Sequence, residues 1–141
     1  MIEIPVAELQ KAACEDPELR LAGRYLDTCV ELGIGKARYC IHIHDGEVLK
    51  IEASDFARRH SYPSTITIEA PEDDWKKLLE PVPPPYYQDL WGAQVHHGFE
   101  IGGDRMTLYA YYRAVGRLLE LLRESYVAVE RETGGGGPID G

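Results

Sequence analysis

Basic residues are in short supply here. Fifteen Lys and Arg face 24 Asp and Glu over 141 residues, a formal charge of −9. So acidic a chain excludes electrostatic binding of nucleic acid and tight docking on an anionic bilayer. Its one dense basic spot, Arg58-Arg59-His60, is too short to make a patch. Long apolar runs are missing too. None nears the roughly 20 residues of a membrane span, so no stable membrane insertion is expected. Glu3 and Glu8 stand where a signal peptide would carry positive charge. Cysteine is scarce: Cys14, Cys29 and Cys40 are odd in number and show no CxxC spacing. This predicts reduced thiols in a cytoplasmic setting, without a disulfide framework or a structural zinc site. Catalytic signatures are sparse as well. There is no Gly-x-Ser-x-Gly elbow. Gly33-Ile34-Gly35-Lys36 lacks the spacing and the Ser or Thr of a phosphate loop.

What is present is patterned. Val6, Leu9 and Ala13, then Leu19, Ala22, Leu26 and Val30, recur at three- and four-residue steps and predict helix over 6–33. Pro17 should split this stretch, with Asp16 as N-cap, and Gly33 and Gly35 should end it. From Arg38 to Asp45 the chain alternates, Tyr39, Ile41 and Ile43 against Cys40, His42 and His44. Asp45-Gly46 is a hairpin turn, and Val48, Leu49 and Ile51 form the return strand. Residues 53–60 read as a loop or a short helical turn. STITIEA at 64–70 is a third strand, and Pro71 with Glu72, Asp73 and Asp74 opens a short helix through Leu79. PVPPP at 81–85 excludes regular helix. A short helical piece over Tyr86 to Trp91, a strand from Gln94 to Ile101 and a helix from Asp104 to about Arg123 complete the order, with Gly102-Gly103-Asp104 read as a tight turn plus an N-cap. Leu108, Tyr112, Val115, Leu119 and Leu122 form the apolar stripe of that last helix. The length suits one domain, residues 1–130, followed by a flexible Gly-rich tail at 131–141.

Three segments, TITIEAPEDDW (65–75), YYQDLWGAQV (86–95) and FEIGGDRMTLYAYYRAVGRLL (99–119), give the chain a family likeness. A Thr-Ile-Thr-Ile strand entering an acidic helix start, then an Ile-x-Gly-Asp strand end before a final helix, resembles the sterol carrier protein (type-two) lipid-binding family. The resemblance implies an α+β fold, with a mixed, roughly five-stranded sheet and helices packed on one face. It also implies an apolar tunnel for a lipid, sterol or fatty acyl group, no shared catalytic residue and no cofactor.

Candidate lining residues for such a pocket are Ile41, Ile43, Trp75, Leu78, Leu79 and Tyr86, with Leu90, Trp91, Phe99, Ile101, Met106 and Tyr109. An apolar cavity with a few polar tips is what a lipophilic ligand needs. The same aromatics, Tyr86, Tyr87 and Trp91 above all, suit a surface covered by a second copy of the chain or by a partner enzyme. The competing chemical reading is a small metal-dependent enzyme. His42 and His44 share a strand face, and Glu47 with His96 (or His97) would complete the ligand set. Two histidines on the solvent side of a hairpin account for the same pattern. Cys40 shares the face of His42, but nothing supplies a third member for nucleophilic catalysis.

Overall fold

The computed structural model describes residues 2–53, 64–87 and 90–133. Helix α1 (Val6–Glu15) stops at Asp16, whose carboxylate accepts the Leu19 N–H at 2.7 Å and so starts α2 (Pro17–Ala22). The expected break at Pro17 and the Asp16 cap are both present.

The chain then departs from the sequence expectation. Residues 6–33 are not all helical: Gly23 caps α2, Tyr25 turns the chain at φ +72°, and Asp27–Ile34 forms strand β1. Its residues from Thr28 onward are all buried. A strand covered on both faces loses the period-two signal, and Leu26 and Val30 happened to extend a helical spacing. Gly33 therefore lies inside a strand. Gly35, at φ +60°, makes the turn into β2 instead of ending a helix.

Strands β2 (Ala37–His44) and β3 (Glu47–Ala53) form the expected hairpin, with Asp45 and Gly46 both at positive φ. Strand β4 (Thr65–Ala70) leads into α3 (Glu72–Leu78). The expectation for residues 53–60 falls almost wholly outside the described residues. The next helix, α4, spans Leu90–His96, and the last strand, β5, only Glu100–Gly103. Tyr86 and Tyr87 are not helical, and Gln94 to His96 are helix, not strand. Gly98 sets the boundary: a Cβ there would stand 2.5 Å from an Asp74 carboxylate oxygen, so the chain passes close over α3. Asp104 caps α5 (Arg105–Ala110) through the Thr107 N–H at 3.0 Å, as its position predicted. A break at Tyr111 precedes α6 (Tyr112–Thr133), which runs ten residues past the expected end. Residues 134–141 lie outside the described chain.

The sheet order is β3-β2-β1-β4-β5, antiparallel except for the central β1/β4 pair. The expected mixed five-stranded α+β architecture is what forms. Val30, Leu32, Ile41, Ile43, Ile66 and Ile68 share one buried cluster with Leu9, Leu19, Trp75, Leu118 and Leu122 from the helices. Trp75 anchors this layer, donating its indole N–H to the Gly33 carbonyl at 2.8 Å and meeting Phe99 edge to face. No described helix is long and apolar enough to cross a membrane.

The other sheet face corrects the cysteine expectation. With β1 paired to β2, Cys29 stands opposite His42 and Cys40 opposite Glu31. That places the two cysteines diagonally on one face, Cα atoms 6.1 Å apart and joined as a disulfide, while Cys14 stays outside it. Reading residues 27–33 as helix had hidden this pairing, because only strand register brings Cys29 beside Cys40.

Candidate functional site

Helix α6 builds the site. Tyr112, Gly116, Leu119 and Arg123 recur at four-, three- and four-residue steps and so form one row, with Arg113, Arg117 and Glu120 beside it. Along these rows lies a cavity of about 360 Å³, closed by Glu18 of α2, Leu78 of α3, Leu90 of α4 and Tyr87 before it. The volume falls at the small end of ligand sites. Gly116 keeps it open, since a Cβ there would meet nothing within 4 Å. A depression of about 470 Å³ further along α6, between Leu79, Pro81, Tyr126 and Val127, is walled by α3 and its exit and by α6. The first is a cleft lined from four helices and open on one side.

Fixed polar groups frame the apolar lining of the first cavity. Arg117 grips Asp16 with both prongs, Nη2 to Oδ1 at 2.8 Å and Nε to Oδ2 at 3.0 Å. Their side chains are 19% and 10% exposed, so solvent screens the pair little. Arg117 also meets Glu120 at 3.2 Å, Glu124 at 3.7 Å and Glu18 at 3.9 Å. The Arg117 hydrogen bond holds the Asp16 carboxyl below the usual carboxylate range, and Asp16 in turn raises Arg117. Tyr87 donates its hydroxyl to Asp74 at 2.7 Å; burial first, then Asp74, pushes the phenol up to about 12. The Tyr112 hydroxyl accepts the Trp91 N–H at 2.8 Å. Arg123 donates Nε to the Leu78 carbonyl at 2.7 Å, and burial pushes its guanidinium below the ordinary value.

The histidines serve elsewhere. His96 stacks on Tyr86 at 3.8 Å and His97 on Tyr87 at 3.6 Å, with His97 Nε2 lying 3.1 Å from the Pro85 carbonyl. Both thus pack from the end of α4 onto the segment before it. His42 and His44 share one carboxylate, Asp27, at 3.3 and 3.6 Å. Glu47 faces His44 across the hairpin. Among the described residues, no group of three or more His, Cys, Asp or Glu side chains is placed to hold a metal ion.

Of the sequence-predicted lining, Leu78 and Leu90 reach the cavity. Ile41, Ile43, Trp75, Leu79, Phe99 and Ile101 are buried in the core. Tyr86, Trp91, Tyr109 and Met106 are exposed, Met106 to 84%, and Trp91 meets Tyr109 edge to face. Sequence reasoning offered Tyr87 only as a partner surface, and did not single out Gly116, Arg113, Arg117 or Arg123. The helical spacing of those arginines around a lone glycine was the available signal.

Two solved structures share this architecture. A crystal structure of sterol carrier protein 2 superposes with a TM-score of 0.61 at 16% identity, over 84% of this chain and 92% of that one. A ubiquinone synthesis protein, UbiJ-SCP2, gives 0.52 at 15% identity, over 81% and 86%. No family model and no curated protein matches the chain. At these identities the likeness is one of fold, and the chain has a sterol-carrier-protein-like α+β fold.

Proposed function

We propose that this protein binds a hydrophobic small molecule of the lipid, sterol or fatty acyl type and holds it without transforming it. The observation that carries this reading is the α6 cavity, where Leu78, Leu90 and Leu119 line a space that Gly116 leaves unfilled. Filling it with apolar ligand would remove that surface from water at roughly 25 cal/mol per Å². The polar groups around it support holding over chemistry: Arg117, Tyr87 and Tyr112 are each committed to a structural partner. The fold likeness to a sterol carrier and to a ubiquinone synthesis protein agrees with a lipophilic ligand. Exposed Trp91 and Tyr109 beside the cavity offer a surface for a partner enzyme that receives the ligand.

Native mass spectrometry of protein purified from cells tests the proposal. A co-purified lipophilic molecule at about one per chain is expected. A ligand-free mass, with no uptake of a fluorescent fatty acid, would refute it.

A further inference from the structure

Helix α6 runs past both hollows with one row of side chains. Tyr112, Gly116, Leu119 and Arg123 line the cavity, and Tyr126, Val127 and Glu130 continue the row along the depression. The facing wall is continuous as well, since Leu78 lines the cavity and its neighbour Leu79 the depression. Arg123 bridges the two walls where the hollows meet. Its Nε donates to the Leu78 carbonyl at 2.7 Å, at the end of α3. A cation on the last carbonyls of a helix is favoured by the helix dipole. The guanidinium is partly buried, and the carboxylates of Glu120 and Glu124 support its charge against that burial. An alkyl chain arriving there would have to strip water from a cation or break the Leu78 bond, and both are costly.

On the carrier reading given above, we infer that Arg123 is a chain-length stop. The ligand is an unbranched chain lying along α6 from Tyr112, its tail ends at Arg123, and the depression beyond is closed to it. The helix sets the length: Tyr112 to Arg123 spans about 16 Å at the rise of an α-helix. An extended chain advances roughly 1.2 Å per bond, as a stretched peptide does, so the cavity takes about 12 to 14 carbons. With the depression joined to it, the row to Arg131 would span about 28 Å and take about 22 to 24 carbons.

Straight-chain alkanoates from octanoate to eicosanoate, kept below their micelle concentrations, test this by displacing a fluorescent fatty acid from the full chain. Affinity should rise about fourfold with each added methylene and level off near tetradecanoate. In Arg123→Ala the rise should continue, so that eicosanoate binds at least about tenfold tighter than it binds wild type. Arg123→Met keeps the packed stem and should act in the same direction whether or not the alanine variant folds. Val127→Trp fills the depression at a partly exposed position away from the Leu78 bond. It should leave every wild-type affinity unchanged and restore the levelling-off when combined with Arg123→Ala. A rise that runs through octadecanoate in wild type overturns the stop alone. So does a levelling point unmoved in a folded Arg123 variant, or weakened eicosanoate binding in Val127→Trp. No displacement by any chain overturns it together with the carrier reading.

Discussion

Helix α6 meets its surroundings in two contrasting ways. Along the seam with α1 and α2, Arg117 is saturated with carboxylates and forks onto Asp16, which also caps α2. One turn away, beside α3 and α4, Gly116 faces empty space next to Leu78, Leu90 and Leu119. Polar groups settled by internal partners hold a fold together. Unfilled space next to apolar surface marks where something else belongs.

The comparison breaks first on the settled side. Trp75→Ala removes a fully buried side chain and its hydrogen bond to the Gly33 carbonyl. It should cost about 3–5 kcal/mol in urea denaturation. Asp16→Ala loses the α2 cap and the Arg117 fork together and should cost about 2 kcal/mol, since Arg117 retains Glu18, Glu120 and Glu124. Asp16 also gives the seam a pH signature. Its carboxyl titrates below the ordinary range when folded, so the stability it contributes is full above about pH 4. That contribution is lost as pH falls through the lower folded value. Denaturation midpoints followed from pH 6 downward should drop below pH 4, and the drop should be shallower in Asp16→Asn. On the unsettled side, Trp91→Ala at a half-exposed position should change stability by no more than about 0.5 kcal/mol. A larger loss there would show that the aromatic surface is structural, and the contrast would fail.

The same division decides what the sequence disclosed. Elements specified by neighbouring residues were legible: the Asp16 and Asp104 caps, the Asp45-Gly46 turn, the alternating β2 strand, and the acidic start of α3. Strand β1 was not, because burial on both faces erased its alternation. Once β1 was taken for helix, the Cys29–Cys40 pairing vanished with it. The α4/β5 boundary depends on how closely Gly98 passes Asp74, a contact between residues 24 positions apart. The cavity joins Glu18, Leu78 and Leu90 to residues 112–123, and its rim is held by a bond spanning 101 residues. Local periodicity carries no trace of such contacts, so Leu78 and Leu90 could be named as lining but not the arginine row opposite them.

The central claim is that the space beside Gly116 is a ligand site and not a packing flaw. Gly116→Phe tests it most directly. The ring projects into the cavity, and replacing glycine within a helix favours folding by roughly 0.5 kcal/mol or more. The measurement is the affinity of a fluorescent fatty acid for wild type and for Gly116→Phe, with denaturation midpoints taken in parallel. The account predicts an unchanged or higher midpoint with binding weakened at least about tenfold. Unaltered affinity in a stably folded Gly116→Phe protein would contradict it.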